Sequence, residues 1–367
     1  MKLTKCKLGE LITQRREKND GSDLPICGVS KDGLIPPKQV DADTSIYNVF
    51  YRDDFIFNPA RMELNSIAIN DKYDRAICSS LYEVFYVHRT DLLLPHYLKL
   101  IVKQKWFTRY CEFLGQGSAR EYCRFNNISE IEIEFPPVEE QRRIVEYHTA
   151  IQQRIALKKQ INDNLEAQTQ ALFDELFLQD GKPDCTLSEI ANVNPTRTLS
   201  KGSIAKCYDM SCLPTRGCVP EGGELKPYNG GVRFQNGDTL IARITPCLEN
   251  GKAAYINILN DKEVAFGSTE YIVFSPIETM PSSFYYFLIR SKKFRAFALQ
   301  YMNGSSGRQR VSGDELAAFP LIKPSQEALS RFAMVADPVL EQFKEASLEI
   351  TRLSNLQQLI IASISSR

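Results

Sequence analysis

Two stretches of the chain carry apolar residues at the alternating three-and-four spacing of helices that pack along one face. From Val138 to Leu178 there is neither proline nor glycine, and Ile144, Ile151, Ile155, Ile161, Leu165, Leu172 and Leu176 form the stripe. Gly181-Lys182-Pro183 ends it, as a glycine followed by a nearby proline should. The second stretch starts at Ser325-Gln326-Glu327 and carries Leu329, Phe332, Val335, Leu340, Phe343, Ile350, Leu353, Ile360 and Ile364. Pro338 falls inside it and is expected to kink or break the helix. Each stretch is roughly 40 residues, about 60 Å of helix at 1.5 Å per residue. A lone helix of that length would leave its stripe in water. Equal lengths at matching places in the chain predict an antiparallel coiled-coil pair, rather than two helices each packed on its own globule. Ile144, Ile151, Ile155, Leu165 and Leu172 would then pair with Phe332, Phe343, Ile350 and Leu353. His148, inside the first stripe, is expected as a packed seam residue.

The segments between the helices have a different rhythm. Ile46–Tyr51, Ser66–Ile69, Val264–Phe266 and Tyr271–Phe274 are short runs rich in β-branched and aromatic residues, which predict strands. Gly230-Gly231 and Asn236-Gly237-Asp238 punctuate them as turns. These segments also repeat. Cys6-Lys7-Leu8-Gly9-Glu10-Leu11 is echoed by Cys185-Thr186-Leu187-Ser188-Glu189-Ile190, and Asp54-Phe55-Ile56-Phe57 by Asp238-Thr239-Leu240-Ile241. Ser80–Phe85 resembles Thr269–Phe274, and Pro95 and Pro281 each open a helix that leads to a glycine-rich loop. Phe135-Pro136 and Phe319-Pro320 each precede a long helix. Matches in one order, at offsets near 180 residues, indicate one duplication with diverged detail. The fold class is therefore α/β: two homologous domains joined by two long antiparallel helices, with pseudo-two-fold internal symmetry. The boundaries are residues 1–136 for the first domain, 137–180 for the first helix, 181–323 for the second domain and 324–367 for the second helix.

Composition narrows the function. Hydrophobic residues make up 43% and charged residues 25%, the balance of a globular protein with sizeable cores. No apolar run reaches the roughly 20 residues of a membrane span, and the first residues show no signal-peptide pattern, so the protein is expected in the cytoplasm, away from the membrane. Ten cysteines include no Cys-x-x-Cys pair, and Cys207, Cys212 and Cys218 lack zinc spacing, which predicts reduced structural thiols and no metal. Net charge is zero, yet Arg290–Gly313 carries six basic residues and no acidic one before Gly313. Lys103–Arg124 is a weaker basic segment at the matching place in the first half.

Phe135-Pro136-Pro137-Val138-Glu139-Glu140-Gln141-Arg142-Arg143-Ile144, with its weaker counterpart from Phe319 to Gln326, is similar to the proline-to-helix junction of the specificity subunits of type I restriction-modification systems. Phe57-Asn58-Pro59-Ala60-Arg61 with Asn65-Ser66-Ile67-Ala68, and Gly237-Asp238-Thr239-Leu240-Ile241-Ala242-Arg243-Ile244-Thr245-Pro246, resemble motifs of two branches of that family's target-recognition domains. The resemblance spans essentially the whole chain. It implies that each domain reads one half of a bipartite double-stranded DNA site and that the helices set the gap and dock two methyltransferase subunits. Restriction subunits would join in the full complex. It also implies no cofactor on this chain, with S-adenosylmethionine, ATP and magnesium on the partner subunits. Asn65-Ser66 stands where the family has glycine-serine, a substitution that fits a positive φ because asparagine tolerates it.

Sequence is read at base edges and position is fixed at phosphates. The candidate DNA-binding residues are polar side chains on the glycine-rich loops: Gln116, Ser118 and Arg120 in the first half, and Ser305, Ser306, Arg308, Gln309 and Arg310 in the second. Arg61 and Arg243, on the strand motifs, compete with a structural ion-pair role. Lys292, Lys293 and Arg295 are candidate phosphate contacts. Trp106, the one tryptophan, is expected in the core. Asn58-Pro59-Ala60-Arg61 and Asn194-Pro195-Thr196-Arg197 lack the aromatic residue of an adenine methyltransferase motif, so the chain is read as non-catalytic. The alternative is a coiled-coil scaffold that binds only proteins.

Overall fold

In both halves of the chain the short apolar runs pair into the same three sheets. The computed structural model describes residues 3–37, 39–40, 43–115, 122–305 and 307–365. They fall into two compact units, residues 1–154 with 353–367 and residues 155–352, each long helix contributing to both.

The first unit contains β1 (Thr4–Lys7), β2 (Ile12–Arg15), β3 (Ile26–Ser30), β4 (Gly33–Ile35), β5 (Asn48–Tyr51), β6 (Phe55–Phe57), β7 (Ile67–Ile69), β8 (Arg75–Cys78), β9 (Glu83–Val87) and β10 (Glu132–Phe135). Its helices are α1 (Pro95–Val102), α2 (Lys105–Gly115), α3 (Phe125–Ser129) and the start of α4 (Val138–Phe177). Strands run in the orders β2-β9-β6-β7 and β4-β3-β8-β5, and β1 pairs with β10. Phe55, Phe57, Phe85, Leu98 and Phe107 form its core, with Ile144 and Ile364 from the long helices.

The second unit repeats this plan. It contains β11 (Cys185–Thr186), β12 (Ala191–Val193), β13 (Ile204–Tyr208), β14 (Glu224–Pro227), β15 (Val232–Phe234), β16 (Thr239–Ala242), β17 (Ala253–Tyr255), β18 (Ala265–Gly267), β19 (Tyr271–Pro276) and β20 (Pro320–Leu321). Its helices are α5 (Leu187–Ile190), α6 (Ser283–Arg290), α7 (Lys292–Gln300), α8 (Gly313–Ala317) and most of α9 (Gln326–Ser365). The orders are β12-β19-β16-β17, β14-β13-β18-β15 and β11-β20, so each strand of the first unit has a counterpart ten strands later. Even the one parallel pair found in each unit among the described residues recurs, as β3–β8 and β13–β18.

The register confirms the alignment read from sequence. Phe55 faces Phe85 across β6–β9, and Thr239 faces Phe274 across β16–β19. One residue before each strand sits a buried aspartate. Asp54 holds Arg15 at 2.6 Å and accepts the Tyr51 N–H at 2.7 Å. Asp238 holds Arg197 at 2.5 Å and accepts the Gln235 N–H at 2.8 Å. The acidic turn of the sequence motif is thus a buried anchor, repeated with the fold.

The helices that sequence placed after Pro95 and Pro281 are each two helices. Ser291 breaks the second, its hydroxyl accepting the Phe294 N–H at 3.2 Å as an N-cap. Trp106 is 37% exposed, not core. Phe107 and Cys111 face inward from the one-sided helix α2, and a neighbour rotated by about 100° must face away.

α4 and α9 pair antiparallel. In the first unit His148 bonds Gln357 at 3.0 Å, and His148 is buried as expected of a seam residue. In the second unit Lys158 pairs with Glu349 at 2.6 Å, while Phe173 stacks edge-on to Phe332. As α4 advances, its partners in α9 recede. Ile144 and Ile151 are buried, as are Phe332 and Phe343, while Ile155, Leu165, Leu172, Ile350 and Leu353 are half-buried at the edge of the seam. Ile161 and Val335 lie outside it, 40% and 43% exposed. Phe173 and Phe177 take the inward positions, because there α4 packs against the α/β body as well as against α9. α9 runs through Pro338 unbroken. The carbonyl that proline leaves without a helical donor belongs to Met334, on the exposed face. Ser325 caps the helix as expected, accepting the Ala328 N–H at 3.2 Å.

The proline-to-helix junction has a mechanical role. Gln141, fully buried, accepts the Leu94 N–H at 2.9 Å and donates to the carbonyls of Leu92 and Pro136. Gln326 reaches the Thr279 carbonyl at 3.3 Å in the second unit. Each glutamine ties a long helix to the chain just before the first helix of its own α/β body. All ten cysteines are free thiols. Among the described residues no helix is long and apolar enough to cross a membrane.

Candidate nucleic-acid interface

In both units a residue beyond the second helix of the pair bonds back to the loop just past an inner strand, β6 or β16. In the first unit the Cys123 N–H donates to the Pro59 carbonyl at 3.0 Å; in the second the Val311 N–H donates to the Arg243 carbonyl at 3.1 Å. This contact brings together residues far apart in sequence: the Asn58–Arg61 motif with the end of the 112–124 segment, and Arg243–Thr245 with Gln309–Val311.

Arg61 lies in a 3-10 turn (Pro59–Leu64) capped by Asn58, exposed and with no ion pair among the described residues. Asn65 closes that turn with φ 52°, the left-handed conformation expected of it. Its amide donates to the Val102 carbonyl at 2.7 Å and the Thr108 hydroxyl at 2.8 Å, contacts that glycine could not make. Gln116, Ser118 and Arg120 lie outside the described residues. Arg124 follows them, 3.4 Å from Glu83, whose other oxygen accepts the Phe125 N–H at 2.7 Å.

In the second unit the loop from Gly304 to Gln309 is closed at its base by paired backbone bonds between Asn303 and Arg310, 2.9 and 2.8 Å. Gly304 and Gly307 hold φ of 126° and 79°, which only glycine adopts readily. Ser305 and Arg308 are exposed at the tip; Ser306 lies outside the described residues. Gln309 exchanges bonds with Thr245 through its backbone, N–H to Oγ1 and carbonyl from N–H, both 3.0 Å. Arg310 grips Glu270 as a fork, with Nε at 3.0 Å and Nη2 at 2.8 Å, and donates Nη1 to the Arg308 carbonyl. Glu270 also lies 3.9 Å from Arg243 Nε. The Arg310 hydrogen bonds hold the Glu270 carboxyl below the usual range. Sequence reading missed Glu270; its place opposite two arginines is a matter of register that no local pattern displays.

The basic helix α7 and its approach divide differently. Arg290, first of the basic segment, is not a surface cation: it is buried against Glu166 of α4 at 3.0 Å and bonds the Thr215 and Gly251 carbonyls. Tyr286 donates to the same Glu166 oxygen at 2.5 Å. Lys293 reaches the Leu178 carbonyl at 2.5 Å and Asp180 at 3.1 Å, beside the end of α4. Arg295 donates to the Glu249 carbonyl at 2.9 Å, and Lys292 is exposed. The structure therefore gathers Arg243, Gln309 and Arg310 at one place and ties Lys293 elsewhere. Among the described residues no group of three or more His, Cys, Asp and Glu is placed to hold a metal ion.

Residues 9–167 match the family model described as the type I restriction modification DNA specificity domain. The chain is 30% identical over 192 residues to the type I restriction enzyme EcoEI specificity subunit of Escherichia coli, a match covering 50% of this chain and 32% of that protein. The EcoAI specificity subunit of Escherichia coli gives 30% over 193 residues, with the same shares. The chain thus spans about a third of the length of the curated relatives it matches. Among solved structures, the S subunit of a type I restriction-modification system from M. genitalium superposes with a TM-score of 0.64 at 14% identity, covering 99% of this chain and 96% of that one. That likeness is one of fold.

Proposed function

From the match of residues 9–167 to the type I restriction modification DNA specificity domain, we propose that the chain is the sequence-reading, non-catalytic specificity subunit of a type I restriction-modification system. One observation carries this reading: the same three sheets and the same loop closure occur twice, while the side chains presented there differ between the units. A scaffold duplicated with its display residues changed is what two readers of two different half-sites require. Backbone geometry is kept and only base-edge chemistry varies.

In this reading each unit reads one half of a bipartite duplex site, and the paired helices set the gap and dock two methyltransferase subunits. Restriction subunits join through them. S-adenosylmethionine, ATP and magnesium act on the partners, and the assembly works in the cytoplasm. Arg61, Arg243, Arg308 and Gln309, together with Gln116, Ser118, Arg120, Ser305, Ser306 and Arg310, contribute the DNA contacts, and Lys292 and Arg295 meet phosphate.

The test is a domain exchange read by methylation. Cells carrying the chain with its methyltransferase subunits are sequenced for modified bases, and residues 1–136 are then replaced by the same region of a relative with a different site. One half-site should change and the other should persist. Exchange that altered both half-sites, or modification independent of this chain, would refute the reading.

A further inference from the structure

At one place the two units, alike in fold, differ sharply in chemistry. The second unit has a cleft of about 340 Å³ between α4, α9 and the 214–221 loop, and another of about 290 Å³ beside Arg243. The second is lined by polar residues that include Asn194, Thr196, Arg233, Arg243 and Thr269, and by the buried Tyr271 and Val273. The residues around the Arg243 cleft differ from those at the matching positions of the first unit. Its lining includes two arginines and no acidic residue. Asn194 is already used, accepting the Val273 N–H at 3.0 Å, and Tyr271 donates its hydroxyl to the Tyr208 and Asp209 carbonyls.

What remains is a set of donors. Arg243 is fixed through its backbone on both sides, N–H to the Glu270 carbonyl at 3.0 Å and carbonyl from the Val311 N–H. Its buried Nε makes no hydrogen bond, at 3.9 Å from Glu270. Glu270 is occupied by Arg310, so Arg243 is left with the 3.9 Å approach to that carboxylate and the more distant field of Glu315. Arg233 stands over the Tyr228 ring at 5.9 Å, and Thr196 and Thr269 are exposed at the cleft.

The corresponding first-unit residues follow from the register. Pro59 matches Arg243, since each carbonyl receives the returning N–H. Leu81 matches Glu270, three residues before Val84 as Glu270 is before Val273, and these valines share one ladder position. Val49 matches Arg233, one place before the phenylalanine of its strand, Phe50 or Phe234. Three apolar residues thus stand where the second unit has two cations and an anion.

We propose that this cleft is where the second unit holds a hydrogen-bond acceptor pair of DNA, with Arg243 and Arg233 as donors and Glu270 as the positioning residue that fixes Arg310 beside them. This rests on the DNA-reading function proposed above. The acceptor pair is either the O6/N7 edge of a guanine, which a guanidinium reads as a fork, or two oxygens of a phosphodiester.

The experiment uses the assembled complex with its methyltransferase subunits. It measures affinity for the cognate duplex, identified by mapping modified bases, and for a random duplex, across a salt series. Arg243→Ala, Arg243→Lys, Arg233→Ala and Glu270→Gln are compared with the parent, and thermal melting shows that each folds. If a guanine is held, Arg243→Ala and Arg243→Lys both lose about tenfold on the cognate duplex only, and the modified motif relaxes at one position of one half-site. If a phosphate is held, Arg243→Ala loses on both duplexes and flattens the salt slope by about 0.9, while Arg243→Lys keeps most affinity. Glu270→Gln should narrow the ratio of cognate to random affinity, an effect that mere loss of stability would not give. Either arginine pattern supports the cleft. Folded arginine variants that bind both duplexes within twofold of the parent, with unchanged slope, would overturn it and leave the DNA-reading function standing. A parent complex that distinguishes no sequence would instead overturn the reading beneath it.

Discussion

Asp54 and Asp238 show how far a single residue carries in this molecule. Sequence marks each as an acidic turn before an apolar strand, but its partner arginine is 39 or 41 residues upstream and belongs to no local pattern. Each carboxylate is almost fully buried, 2% and 1% exposed, so losing the arginine would strand a charge in the core. Replacing Arg197 or Arg15 by Ala should destabilise its unit by about 3–5 kcal/mol, whereas replacing both partners with apolar residues of similar size should recover much of that loss. Urea unfolding of the single and double variants measures both. A second residue-scale prediction concerns pH. Lys103 donates to the Lys31 and Ile67 carbonyls at 2.8 and 2.7 Å, and burial pushes its ammonium down from 10.5 to about 8. Below pH 8 the group is charged in both folded and unfolded chains, and the folded form bears the burial penalty. Between about 8 and 10.5 the folded chain sheds its proton first, so Lys103 adds stability as pH rises through that window. Lys103→Met should remove this rise when unfolding free energies at pH 7.5 and 9.5 are compared.

At the scale of elements the periodic stretches were the most legible, because a stripe of 40 residues averages out local exceptions. Both long helices lie where the pattern put them, and Ser325 caps as the sequence implied. The duplicated strands were legible too, since the aligned motifs occupy equivalent rungs. What the pattern missed are places where a helix serves two neighbours at once. Leu172 fits a two-helix seam and is half-buried, whereas Phe173, one residue on, is fully buried among Phe177, Phe284 and Phe332. Phe173→Ala should therefore cost about 3–5 kcal/mol and Leu172→Ala distinctly less, the reverse of the ranking a heptad reading gives. Denaturant midpoints of the two variants decide it. Of the candidate interface, the second-unit turn from Gly304 to Gln309 was legible from its glycines. Glu270 and Arg233 were not, because a strand register sets their roles. Arg290 misled for the same reason: Glu166, which neutralises it, lies 124 residues earlier.

For the molecule as a whole, the proposed function turns the helix pair into a measure of DNA. Within the second unit Lys158 meets Glu349 and Phe173 meets Phe332, so an insertion in one helix alone would shift every later partner out of register. Four residues added within Leu157–Gln168 and four added to the facing part of α9 between Val339 and Glu349 preserve the pairing. They lengthen it by about 6 Å, close to two base pairs at the roughly 3.4 Å rise implied by 34 Å per turn. Four residues exceed one helical turn only slightly, so the apolar faces stay nearly in phase. Cells carrying the doubly extended chain should modify the same two half-sites across a longer gap, as read by sequencing modified bases. The single-helix insertion, which breaks the Lys158–Glu349 register, should lose modification or stability. An active double insertion that kept the original gap would show that the helices do not measure the DNA, and spacing would then have to come from the docked subunits.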